Sequence, residues 1–177
     1  KAVWHRGAVD ADGKTGDGAG IHIEIPKDFF IERIENAGRR HDKGMICVGM
    51  IFLPRNDYAS QEKCKTLVEN ELLGKNYYIY RWRQVPVNTR VLGAKAENNR
   101  PEIVQVIFKS NNENLKEDDL ERDLFVIRKK IEKQSNILKI KDFYVCSLSS
   151  RSIIYKGMFL AEALSAFYPD LMDKRFI

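Results

Sequence analysis

The residues best suited to chemistry lie between His5 and Pro26, HRGAVDADGKTGDGAGIHIEIP, where a basic pair, five glycines and three aspartates share one short stretch. Glycine adopts φ > 0 and lets other groups come close to the backbone. Gly13, Gly16, Gly18 and Gly20 therefore predict a tightly folded turn with the character of an active-site loop. Three ligand-binding motifs could claim it, and each fails on spacing. A phosphate-cradling loop ending in Gly13-Lys14-Thr15 needs its first glycine at position 8, where Ala8 stands. A calcium loop on Asp10, Asp12 and Asp17 places Lys14 where an oxygen ligand is required and Thr15 where the turn glycine belongs. A dinucleotide fingerprint opening on Gly16-Asp17-Gly18 meets Ile21 in place of its last glycine, and a strand follows rather than a helix.

Other reactive side chains are scattered. Cys47, Cys64 and Cys146 are odd in number, far apart and without a C-x-x-C pair, which argues against a disulfide framework or a structural zinc site. Each reads as a small buried hydrophobe in a reducing, cytoplasmic setting. Ser149, Ser150 and Ser152 lack a G-x-S-x-G elbow, and no motif places a His or Asp beside them, so a serine nucleophile is set aside. Tyr77-Tyr78-Ile79-Tyr80-Arg81-Trp82-Arg83 offers aromatic and basic groups on a strand, as a platform for single-stranded RNA would, but lacks the glycine-aromatic signature of an RNA-recognition strand. The structural alternative is a strand packed between layers with Arg81 and Arg83 at its wet edge.

The elements that must position these groups follow from periodicity. Ile21 to Ile25 alternates as a half-buried strand, with Ile21, Ile23 and Ile25 on one side and His22 and Glu24 on the other, and Pro26 ends it. A helix over Pro26 to Ala37 carries Phe30, Ile34 and Ala37 at helical spacing before Gly38. Arg39 to Lys43 reads as an exposed loop. The unbroken apolar run Met45 to Leu53 predicts a strand covered on both faces. Asn56 or Asp57 caps a helix to about Leu73, with Cys64, Leu67, Val68 and Leu72 inward and Gly74 as its stop. Val85 to Arg100 reads as a plain connection and Ile103 to Phe108 as a strand. Asn111 to Asp119 leads into a helix over Leu120 to Gln134, its apolar face being Leu120, Leu124, Ile127 and Ile131. The last third predicts a hairpin, Phe143 to Leu148 with Ile153 to Tyr155, turned by Ser149 to Ser152, then a short helix from Leu160 to Phe167. The expected fold class is α+β, two sheets with helices outside.

The 177 residues make one domain's worth of chain, enough to bury a core. No apolar run approaches the roughly 20 residues of a membrane span, and no leader precedes the loop, so neither membrane nor secretion is expected. The net charge of +5 comes from 30 Lys and Arg interleaved with 25 Asp and Glu. That is a mixed solvated surface rather than a nucleic-acid footprint.

The text of the chain resembles a known family almost throughout. His5-Arg6-Gly7-Ala8, Thr15 to Ile21, Val48 to Pro54, Trp82 to Val87, Leu124 to Lys129, Ser147 to Arg151, Tyr155 to Met158 and Ala166 to Leu171 look, in order, like the class-II glutamine amidotransferase domain of the glutamate synthase large subunit. The resemblance implies a four-layer αββα sandwich of N-terminal-nucleophile hydrolase type, present as a partial domain. It implies hydrolysis of L-glutamine to L-glutamate and ammonia by an N-terminal cysteine, whose thiolate attacks the side-chain amide while its α-amino group handles the proton. Ammonia then passes to 2-oxoglutarate in other domains that hold FMN and an iron-sulfur cluster, with a small electron-supplying subunit as a further partner and no cofactor in this stretch.

On this resemblance the nucleophile precedes Lys1 and the glutamine pocket follows Ile177, so the stretch alone is expected to be inactive. Arg6 and Gly7 are the family's site residues found here, expected to pack around the N-terminal cysteine. The competing role for Arg6 is a structural ion pair to Asp10, Asp12 or Asp17. Asp17, Gly18 and Gly20 are expected to shape the turn beside the site. The competing functional classes are a binding or regulatory module on the same scaffold and an RNA-binding domain.

Overall fold

The computed structural model describes residues 9–41 and 43–176. In chain order they form β1 (Ala19–Glu24), α1 (Lys27–Glu35), β2 (Ile46–Leu53), α2 (Tyr58–Leu73), β3 (Tyr77–Gln84), α3 (Ala94–Asn98), β4 (Glu102–Ser110), α4 (Glu117–Ile137), β5 (Tyr144–Ser149), β6 (Ser152–Gly157) and α5 (Leu164–Phe167), with short 3₁₀ turns between and after them. The fold is α+β. Two units are distinguished, one from Glu24–Gln84 and Pro101–Ile153, the other from the described residues up to Ile23, Val85–Arg100 and those from Ile154 onward.

The larger unit is built on an antiparallel sheet of order β3-β4-β2-β5. The run Met45 to Leu53 supplies its β2, which is buried along nearly its whole length, as expected for a strand covered on both faces. One face carries Cys47, Ile51, Leu53, Val104, Val106, Phe108, Val145 and Leu148 against α2 and α4. These helices present Cys64, Val68 and Leu72, and Leu120, Leu124, Ile127 and Ile131, at the spacing that keeps one helical stripe inward. Asp57 caps α2, its carboxylate accepting from Ser60 N at 2.9 Å. Glu117, Asp118 and Asp119 occupy the first turn of α4, where the helix dipole favours anions. In α1 the buried residues are Phe29, Phe30 and Ile34, whereas Ala37 lies beyond the helix and is exposed.

Two expectations fail here for identifiable reasons. Arg83 is not at a wet edge: it is 7% exposed and donates from Nη1 to Gln105 Oε1 at 2.8 Å. A bulge between Ile79 and Arg81 inserts Tyr80, so Tyr77, Ile79 and Trp82 join the helix-covered cluster while Arg83 pairs with Gln105 on the other face. The hairpin of β5 with β6 does not form either. β5 pairs with β2, and β6 pairs with β1 in a two-stranded sheet. The Ser149–Ser152 segment is tied down instead of turning back. Ser149 Oγ accepts from Arg151 N and Ser152 N, and both Ser149 and Ser150 bond Glu121 on α4.

In the smaller unit an aromatic cluster anchors the chain end. Tyr155, Phe159, Phe167 and Tyr168 are buried and meet largely edge to face, with ring centroids 4.6 to 6.3 Å apart. The predicted helix Leu160 to Phe167 splits into a 3₁₀ turn and the four-residue α5. Val85 to Arg100, read as a plain connection, contains a 3₁₀ turn and α3. In β1 the alternation is only partly realised, since Ile21 keeps 38% of its surface exposed and Ile23 is half-buried.

Candidate functional site

The glycine loop is a closed turn organised by Asp12. Its Oδ1 accepts from Lys14 N at 2.9 Å and Thr15 N at 2.7 Å, and its Oδ2 accepts the Thr15 hydroxyl at 2.6 Å. Aspartate does this readily because its short carboxylate reaches backbone donors two and three residues on. Gly13 N donates to Asp10 O at 2.9 Å, Asp10 N to Thr15 O at 2.8 Å, and Val9 bridges Gly16. Thr15 is consequently buried, with Gly16, although residues 11–14 before it are exposed. The Thr15 hydroxyl, then the backbone donors of Thr15 and Lys14, stabilise the charged carboxylate and bring Asp12 down to about 2.

The other end of the loop enters β1. Gly18 has φ +129°, a conformation that side chains rarely adopt. At Gly20 a Cβ would stand 2.8 Å from Lys156 Cβ and 3.0 Å from Tyr155 O, so β6 passes too close for any side chain. Both glycines thus shape the turn into the strand, and Asp17 just before them is exposed. Arg6 and Gly7, the expected site residues, lie outside the described residues. Of the acids offered as ion-pair partners for Arg6, Asp10 pairs with Lys95 at 2.8 Å and Asp12 is engaged by Thr15. The hydrogen bond from Lys95 is the chief reason the Asp10 carboxyl lies below its ordinary range.

Sequence reasoning missed Gly93 and Lys95. Gly93 lies so close to the loop that a Cβ there would fall well inside contact distance of Asp12 Oδ2 and Thr15 Oγ1. No local signal marks such an approach, since the two segments are about 80 residues apart; an isolated glycine ahead of a short helix is the nearest hint.

The remaining candidate reactive groups are structural. Cys47, Cys64 and Cys146 are buried and in no disulfide, as the reading of them as small hydrophobes requires. Burial pushes the Cys64 thiol up to about 11 and Cys47 higher still, the reverse of what a nucleophile needs. Ser149 and Ser150 donate their hydroxyls to Glu121, which ties the segment to α4. Along β3, Tyr77 and Tyr80 are buried, Tyr77 donating to Asp123 at 3.1 Å and Tyr80 lying 2.8 Å from His41 Nδ1, while Trp82 Nε1 donates to Glu69 at 2.7 Å. Only Tyr78 of these rings is exposed. Among the described residues no group of three or more His, Cys, Asp or Glu could hold a metal ion, and no helix is long and apolar enough to cross a membrane.

Comparison with known proteins places the chain as a whole. Residues 1–177 match the family model described as glutamine amidotransferases class-II. The chain is 56% identical over 176 residues to the NADPH glutamate synthase large chain of Azospirillum brasilense, covering 99% of this chain and 12% of that protein. It is 40% identical over 176 residues to the ferredoxin-dependent glutamate synthase of Pyropia yezoensis, covering 97% of this chain and 11% of that protein. Against ferredoxin-dependent glutamate synthase 1 of Arabidopsis thaliana the identity is 41% over 172 residues, covering 96% and 10%. The chain therefore spans 10 to 12% of the length of these relatives.

Proposed function

The chain belongs to the class-II glutamine amidotransferases, and from that premise we propose that it is part of the glutaminase domain of a glutamate synthase large chain. The observation that carries this reading is the 56% identity over 99% of the chain to a protein of that name. The domain hydrolyses the side-chain amide of L-glutamine, giving L-glutamate and ammonia, and the ammonia is transferred to 2-oxoglutarate elsewhere in the parent protein. In this reading FMN and an iron-sulfur cluster belong to those other domains. The higher identity to the NADPH enzyme than to the ferredoxin-dependent ones favours NADPH as the electron source, delivered through a small partner subunit in the cytoplasm.

The nucleophile of this reaction is an N-terminal cysteine, a role that the buried Cys47 and Cys64, whose pKa values burial raises, and the buried Cys146 do not suit. Arg6 and Gly7 support the cysteine, and Asp17, Gly18 and Gly20 shape the turn beside it. The fold type of this reading is the four-layer αββα sandwich, supported by the burial of β2 along nearly its whole length. The test is glutamate release from glutamine by the full parent protein, with and without Arg6→Ala. Activity that falls at least about tenfold in a folded Arg6→Ala protein supports the reading. A folded parent that releases no glutamate points to a binding module on the same scaffold.

A further inference from the structure

The larger unit holds a cavity of its own, about 430 Å³, between the segment that follows β2 and the one that follows α4. Its size falls within the range of about 300 to 1,000 Å³ typical of small-molecule pockets. Both walls are fixed by hydrogen bonds. The buried Gln61 donates from Nε2 to Pro54 O at 2.7 Å and to Arg55 O at 3.1 Å, while Lys139 N donates to Asn136 O and Ile140 N to Ser135 O, each at 3.1 Å. Lys139 and Asp142 have φ +53° and +58°, values uncommon for residues with a side chain, so this loop is held in one particular shape. Pro54, Leu138 and Ile140 give the cavity an apolar side.

Its charges are unevenly matched. Lys63, Lys139 and Lys141 line it, and none of these side chains makes a hydrogen bond or ion pair among the described residues. Elsewhere in the same unit Lys65, Lys75, Lys129 and Lys130 each face a carboxylate at 2.7 to 3.9 Å. Of the two acids in the lining, Asp57 is committed to capping α2. It accepts from Ser60 Oγ at 2.6 Å and Ser60 N at 2.9 Å, and these bonds chiefly hold its carboxyl below the ordinary range. Only the exposed Asp142 is left to offset three ammonium groups. Like charges gathered at one cavity repel, and a bound anion relieves that repulsion.

We propose that this cavity binds a small organic anion with two or more negative charges, a phosphate ester or a polycarboxylate, whose charged groups meet Lys63, Lys139 and Lys141 while its carbon body lies against Pro54, Leu138 and Ile140. Lysine acts as a point charge and suits phosphate and carboxylate alike. The apolar side selects against a bare inorganic ion, which would leave it uncovered. The inference stands apart from the glutaminase reading, since it uses no residue of the glycine loop and no step of that reaction.

The experiment acetylates the lysines of the full-length parent protein at low salt and reads each one by mass spectrometry. The probes are citrate and adenosine monophosphate, with sulfate at equal ionic strength as the control. For a Kd near 1 mM, about 10 mM probe fills some nine-tenths of the sites, so acetylation of Lys63, Lys139 and Lys141 is expected to slow about five- to tenfold. Lys65 and Lys129, already paired with carboxylates, keep their rates. Protection by citrate alone assigns a polycarboxylate, by the nucleotide alone a phosphate ester, and by both their shared chemistry; each supports the proposal. Lys139→Asn combined with Lys141→Gln removes two exposed charges, with asparagine suited to the left-handed φ. That variant should lose the protection of Lys63 with its melting temperature unmoved. No slowing by either probe overturns the proposal, as does equal slowing by sulfate, which means an adventitious ion only. Lysines that resist acetylation before any probe is added overturn it too, because another part of the parent protein then fills the cavity. So does protection of Lys63 that survives in the folded double variant.

Discussion

At the scale of single residues, Asp12 shows how much a polar side chain decides locally. Its carboxylate collects two backbone N–H groups and the Thr15 hydroxyl, so protonation opposes three hydrogen bonds at once. The sign of the pH effect follows. The folded-state pKa near 2 lies below the ordinary 3.8, so the unfolded chain binds more protons between those values and stability rises with pH across them. The turn's contribution is therefore complete above about pH 4 to 5 and is lost as pH falls through about 2. Carboxyl chemical shifts followed by NMR should show Asp12 titrating well below the exposed acids, and Asp12→Asn should remove the transition; an ordinary midpoint near 4 would contradict the turn. Asp12 was visible in the sequence, but as a rejected calcium ligand. Its real partner set is local and needs only the D-x-K-T spacing, whereas the contact with Gly93 depends on tertiary structure and left no trace in the residue order.

At the scale of elements, apolar patterning located the long helices and β2 among the described residues: α2 and α4 by a buried stripe that repeats at 3.6 residues, β2 by an unbroken apolar run. Pairing was not. Ser149 to Ser152 has the look of a hairpin turn, yet Glu121 holds it from α4 and β6 goes to β1. The clasp gives a measurable consequence. Glu121 accepts the hydroxyls of Ser149 and Ser150 and the Ser150 N–H, and these serines are 7% and 2% exposed. Glu121→Ala leaves buried donors without that acceptor and should destabilise the chain by about 2 to 3 kcal/mol. Denaturant unfolding read by circular dichroism checks this, and a loss below about 0.5 kcal/mol would mean that the turn keeps its course by backbone contacts alone. The bulge at Tyr80 is the other case: it moved Arg83 from the expected wet edge to the interior, and one extra residue in a strand cannot be seen in an alternation pattern.

For the molecule as a whole, the two units differ in how they are stabilised. The larger buries a continuous apolar cluster from four strands and two long helices. The smaller is drawn from three separate stretches and relies on a two-stranded sheet, short helical turns, the Asp12 turn and an aromatic group around Tyr155 and Tyr168. A two-stranded sheet is marginal by itself, and helical turns of three or four residues have little cooperative strength. The candidate loop thus belongs to the part of the molecule with the smaller energetic reserve, and shaping it is assigned to tight local hydrogen bonds rather than to a deep core. Amides in regions of low local stability exchange through openings that cost less than global unfolding. Native-state hydrogen exchange should therefore find β2, β4 and the middle of α4 the most protected, with amides of residues 10–16 and of the turns from Ala161 to Phe176 at least about a hundredfold faster, some 2.7 kcal/mol less stable to opening. Equal protection across both sets would show a single cooperative unit, and the loop's geometry would then follow from global stability instead of from Asp12, Gly93 and Lys95.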